Sequence, residues 1–316
     1  MTRLLLCLCL VAVLLAFCAP APSAAPTMSP TTPAPDFIIL AYATDALVVE
    51  AIPFSELTHI NYAFLIPNAD GTFAPLANAW KLRKLIETAH SHSVRVCISV
   101  GGWGWDSAFE QLAASAESRA AFVQNLMAVI YEYQFDGADI DWEYPDPGAS
   151  AQNFLKLVTE VRTAMPDKLL TAAVISYGDE YGQGIPAQAF AVMDFVNVMT
   201  YDGPDHASME QFERGLAYWE GRGLPAEKTV MGVPFYSRPG EIPYSRLVKA
   251  DPAAAQTDKF DFVGAVQVYN GIPTIQAKTR IAMQRAGGIM FWSLDHDAPG
   301  ELSLVSAIYR AVHEPR

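Results

Sequence analysis

Four carboxylates, Asp136, Asp139, Asp141 and Glu143, lie within eight residues of the stretch "FDGADIDWEYP", which otherwise has the composition of a buried β-strand. Period-two alternation puts Asp139, Asp141 and Glu143 on one face of such a strand and Ile140 and Trp142 on the other. Asp136 sits at its start. Carboxylates crowded in this way raise one another's pKa, burial raises it further, and some must share protons at neutral pH. A general acid needs that condition. Glu143, the outermost of the set, is placed to hold a proton until a leaving group takes it. On an apolar strand beside Trp142 and Tyr144, acids without a task would carry a heavy desolvation penalty. A divalent-metal cluster is the rival reading of strand-end acids, but no histidine or further acid pairs with this strand. Neither a metal nor a cofactor is expected.

The elements that position these acids follow from periodicity. Eight β-branched and aromatic runs alternate with stretches of helical period: "FIILAYA" from Phe37, "HINYAFL" from His59, "VRVCISV" from Val94, "DGADIDW" from Asp136, "LLTAAVIS" from Leu169, "DFVNVMT" from Asp194, "TVMGVPF" from Thr229 and "GGIMFWS" from Gly287. Helices are predicted at Lys81 to His92, Ser118 to Tyr133, Ala151 to Met165, Ala187 to Met193, Met209 to Arg222, Ile272 to Arg285 and Leu302 to Val312. This α/β alternation predicts a single (β/α)8 TIM barrel, with the chemistry at the C-terminal ends of its strands. A doubly wound open sheet is the competing layout. No GxGxxG or GxxxxGK[ST] follows any strand to support it.

At this point the motifs carry a family resemblance. "DGADIDWE" resembles the DGxDxDxE signature of family 18 glycoside hydrolases, the chitinase family. Ser99 to Gly102 ("SVGG"), Met199 to Asp202 ("MTYD"), Gly232 to Arg238 ("GVPFYSR") and "MFWSLDHD" from Met290 resemble that family's third, sixth, seventh and eighth strands in order. The resemblance implies a retaining hydrolase in which the substrate's own acetamido oxygen is the nucleophile. Glu143 would protonate the glycosidic oxygen and later activate water. Asp141 would orient the acetamido group, helped by the Tyr201 hydroxyl, and Asp139 would share a proton with Asp141. Trp292 would floor the sugar subsite, with Trp103, Trp105, Tyr42 and Phe64 at neighbouring positions and Asp202 and Arg238 as polar contacts. Ser99, Gly101, Gly102 and Asp136 read as structural support. About fifty residues separate "GVPFYSR" from "GGIMFWS", too few for the α+β domain that many chitinases insert there. An open groove suited to endo cleavage is therefore expected.

The implied activity is hydrolysis of β-1,4 bonds in chitin or another N-acetylglucosamine-containing oligosaccharide. An endo-β-N-acetylglucosaminidase acting on N-glycan cores is the nearest alternative. A non-catalytic chitin-binding lectin is a third reading, opposed by the retained Glu143.

Composition is compatible with this. The 316-residue chain is 51% hydrophobic and carries a formal net charge of −13, with no Lys/Arg cluster to bind nucleic acid or an anionic membrane surface. Residues 1–25 read as an export signal, with one early Arg3 and a long apolar run, and 26–35 as a Pro/Ala/Thr-rich linker. Residues 36–316 form the expected catalytic barrel. A secreted monomer follows; membrane attachment would require a retained leader or lipidation of Cys18. Cys97 is the only cysteine beyond the leader, so no internal disulfide holds the domain.

Overall fold

The computed structural model describes residues 37–314. The expected export signal, the linker and Cys18 lie outside the described residues. Strands β1 (Ile38–Ala43), β2 (His59–Leu65), β3 (Arg95–Gly101), β4 (Gly137–Asp141), β5 (Leu169–Ile175), β6 (Phe195–Met199), β7 (Thr229–Pro234) and β10 (Gly288–Trp292) form a closed barrel. Neighbouring strands are parallel and follow chain order, and β1 pairs with β10 to close the ring. The eight predicted runs are these eight strands, each matched to within one residue at either end.

Alternation sorts the side chains into two cores. Ala138, Ile140 and Trp142 join a large outer cluster between strands and helices, with Val96, Ile98, Phe109 and Phe154. A smaller inner cluster, including Leu40, Tyr42, Phe195, Val230 and Met290, fills the barrel lumen. Asp139 and Asp141 have the parity of that lumen.

Some elements depart from the sequence reading. The helix Asp106–Ala114 occupies a stretch for which the sequence predicted no helix, between the Gly-rich "GGWGWD" and Ser115. Ser115 also caps the next helix, Ala116–Tyr133, by accepting from Glu117 N–H and Ser118 N–H. Between β7 and the helix Ile272–Arg285 lie a short helix, Tyr244–Ala250, and an antiparallel hairpin of β8 (Lys259–Phe262) and β9 (Ala265–Val268). Its two turn residues, Val263 and Gly264, both take positive φ. That conformation usually shows itself through Asn-Gly or Asp-Gly, so a valine hides the hairpin from a sequence reading. The segment remains far shorter than an inserted domain.

Candidate active site

Asp139 lies in the middle of β4, fully buried in the lumen. Its Oδ2 accepts from the Tyr42 hydroxyl at 2.8 Å and Ser99 Oγ at 2.9 Å; its Oδ1 accepts from Thr171 Oγ1 at 2.5 Å and Asn197 Nδ2 at 3.1 Å. Ser99 and Thr171 are the residues paired with Asp139 on the strands to either side, so register delivers two of these donors. Burial raises the Asp139 pKa and the donors oppose the rise. Four donors thus occupy the Asp139 oxygens, and the charge of Asp139 contributes to raising the Asp141 pKa.

Glu143 acts on Asp141 more strongly than Asp139 does. Burial, then the charge of Glu143, then that of Asp139 hold the Asp141 carboxyl well above its ordinary range, and burial pushes Glu143 up to about 7. Asp141 Oδ1 is buried and has no hydrogen-bond partner among the described residues. An orphaned acceptor of this kind is costly in a finished core and useful where a ligand supplies the donor.

Two glycines let β3 approach this pair. A Cβ on Gly101 would fall 2.3 Å from the Asp141 carbonyl oxygen, and one on Gly102 would meet the Phe64 ring at 2.7 Å. Gly102 N–H donates to that same Asp141 carbonyl at 2.8 Å. At the other end of β4, Asp136 Oδ2 accepts from Val96 N–H at 2.6 Å and lies 2.9 Å from His90 Nε2, which anchors the strand's start.

Asp141 and Glu143 line a cleft of about 1030 Å³ at the C-terminal mouth of the barrel, together with Tyr42, Phe64, Trp103, Tyr201 and Trp292. Trp292 stacks on Phe64, with centroids 5.4 Å apart and planes 16° from parallel, and tilts against Tyr42 at 5.8 Å. Tyr42 offers the cleft only part of its ring, because its hydroxyl is spent on Asp139. The Tyr201 hydroxyl makes no hydrogen bond among the described residues, lies within reach of the Asp141 and Glu143 charges, and its ring meets Tyr236 edge-on at 6.3 Å. Trp103 is 78% exposed at the rim. Trp105 precedes the helix Asp106–Ala114 and does not line the cleft.

The opposite wall is a bonded cluster. Asp202 Oδ1 accepts from the Tyr236 hydroxyl at 2.7 Å and from Arg238 Nη2 at 2.7 Å, and Arg238 also pairs with Glu241 at 2.6 Å. Asp202 and Arg238 therefore line the cleft as a bonded pair. The sequence reading missed Tyr236, Thr171 and Asn197. Thr171 and Asn197 carried a signal, each being a polar residue inside an otherwise apolar strand.

A parallel eight-stranded barrel with two buried carboxyls of raised pKa beside an aromatic floor at its C-terminal mouth is the framework of a glycoside hydrolase. The glycosyl hydrolases family 18 model matches residues 38–297, and the chain belongs to that family. The chain is 26% identical to Chitinase 1 of Aphanocladium album, over 83% of this chain and 80% of that protein. It is 31% identical to a probable endochitinase of Caenorhabditis elegans over 57% of this chain, but spans only 36% of that protein. Among solved structures, the family 18 chitinase ChiB from the chitin utilization locus of Flavobacterium johnsoniae superposes with a TM-score of 0.76 at 29% identity, covering 87% of this chain and 93% of that one.

Proposed function

We propose that the protein is a retaining chitinase that hydrolyses β-1,4 bonds between N-acetylglucosamine units with the substrate's acetamido group as nucleophile. The observation that carries this reading is the juxtaposition of Glu143, its pKa raised to about 7, with Asp141, whose buried Oδ1 has no hydrogen-bond partner among the described residues. An acetamido N–H would satisfy that acceptor. Held there, the acetamido oxygen attacks the anomeric carbon as the glycosidic C–O bond breaks, and the Glu143 proton passes to the leaving oxygen. The cyclic oxazolinium carries a positive charge next to Asp141, with Asp139 as a fixed negative charge one layer below. Glu143, now a carboxylate, takes a proton from the water that opens the ring, which restores the acetamide and the starting anomeric configuration.

Trp292 stacked on Phe64 gives a pyranose ring an apolar floor, and the uncommitted Tyr201 hydroxyl is available to the acetamido oxygen. The named chitinases among the relatives support chitin as substrate. The short β7 to β10 segment leaves the groove without an added wall, which suits endo cleavage. Export follows from the apolar leader in the sequence, with the barrel acting outside the cell as a monomer.

Incubation with defined N-acetylglucosamine oligomers and with a high-mannose glycoprotein, followed by time-resolved anomer analysis, tests the reading. Rapid oligomer cleavage with initial β-anomer products is expected. Initial α-anomers would overturn the mechanism, and preferential release of N-glycans would replace chitin with the chitobiose core as substrate.

A further inference from the structure

Outside the cleft, the helix Ile272–Arg285 carries a lysine on its core-facing stripe. Lys278 shares that stripe with Ile275, Thr279 and Ala282, and none of it is exposed. Burial lowers its pKa to about 7. Its amine donates to the Ala207 carbonyl at 2.9 Å and to Asn270 Oδ1 at 2.9 Å, and lies 5.5 Å from the Phe212 ring centroid. Asp258 is the carboxylate whose charge acts on it, but that group is occupied by Gly271 N–H and Thr274 Oγ1. A buried amine without a bonded counter-ion is destabilising unless its hydrogen bonds do something for the fold.

Those bonds hold one loop. Ala207 accepts a second donor, Asn270 Nδ2, at 2.6 Å. It is also a non-glycine residue at φ +66°, and Asp202 at the other end of the loop sits at φ +62°. Backbone in the left-handed region persists only where its surroundings enforce it. Between the two, His206 Nδ1 accepts from Asp202 N–H at 3.0 Å while its Nε2–H donates to the Tyr236 carbonyl at 3.1 Å. The loop thus runs from the Lys278 amine to the residue that meets Tyr236 and Arg238 on the cleft wall.

We infer that Lys278 is a positioning residue for the hydrolytic reaction: through the Ala207 carbonyl it fixes the loop that aims Asp202 into the cleft. The inference rests on the hydrolase reading above for its kinetic arm only.

Lys278→Met keeps the apolar stem and removes the amine. Its kcat/KM on N-acetylglucosamine oligomers should fall roughly tenfold in the wild-type background and less than about twofold in an Asp202→Ala background, because the loss travels through Asp202. Equal losses in both backgrounds would overturn the inference in favour of a general packing defect. Amide hydrogen exchange without substrate supplies an arm independent of activity. Exchange across 202–208 should accelerate in Lys278→Met while β5 stays protected, and unchanged exchange there would sink the strut even if the enzyme proved inactive on every chitin oligomer. Should Lys278→Met fail to fold, Asn270→Ala removes the second donor to Ala207 and should show the same loop-restricted acceleration; its absence would likewise overturn the proposal.

Discussion

Asp136 at the base of β4 and Glu143 just beyond its mouth are both acids of one short stretch, and their surroundings give them opposite work. At the base, Asp136 Oδ2 takes Val96 N–H, and two strands further round the barrel Asp194 Oδ2 takes Leu170 N–H at 2.7 Å and Arg162 Nη2 at 2.5 Å. These acids seal the starts of β3 and β5 with strong donors. At the mouth, Asp141 and Glu143 have each other and a burial penalty, and both pKa values rise. The supply of donors, rather than the residue type, separates an anchoring carboxylate from a proton carrier.

The most severe way to test that contrast is Glu143→Gln. Hydrolysis should drop by about a thousandfold or more with oligosaccharide binding retained, and turnover close to wild type would remove Glu143 from the proton transfer. Asp141→Ala comes next, with a loss on the order of a hundredfold that persists for substrates whose leaving group needs no protonation. An effect confined to poor leaving groups would instead make Asp141 a mere tuner of Glu143.

A pH profile sharpens the same contrast. In the proposed reaction Glu143 must be protonated to act, so kcat/KM should decline as pH rises through about 7. A carboxyl raised in the folded state binds more protons there than in the unfolded chain, so its contribution to stability falls as pH climbs from the ordinary glutamate range through about 7. Glu143→Gln should therefore melt higher than wild type at pH 8, by roughly 2–4 °C for a gain of about 1 kcal/mol, with little difference at pH 4.5. Matching melting curves at pH 8 would mean that the mouth holds no strained charge. The smallest effect belongs to the base. Asp136→Ala should lose about 1 kcal/mol of stability, read from denaturant midpoints, while kcat/KM stays within about twofold of wild type. A large kinetic defect there would erase the distinction between the two ends.

Much of the site could be read in advance because strand parity is a strict code. Once "DGADIDWE" was taken as a strand, the shared inward face of Asp139 and Asp141 followed from alternation. Trp292 and Phe64 were similarly placed at strand ends. What parity cannot give is lateral neighbours. Thr171 and Asn197 bond Asp139 from strands 32 and 58 residues further along the chain, and only barrel register sets those meetings. The same limit kept the full set of four donors on Asp139 out of reach of the sequence. Arg238 and Asp202 read in the sequence as polar contacts to the sugar, and the fold bonds them directly to each other, with the Tyr236 hydroxyl on the same Asp202 oxygen.

The sequence by itself determined the strands, their inward faces and the order of acids along β4, because these depend on local periodicity and on residue type. The tertiary structure decided which acid keeps the proton and which residues hold the walls. Those outcomes depend on burial and on donors arriving from distant strands, and both exist only after the barrel has closed.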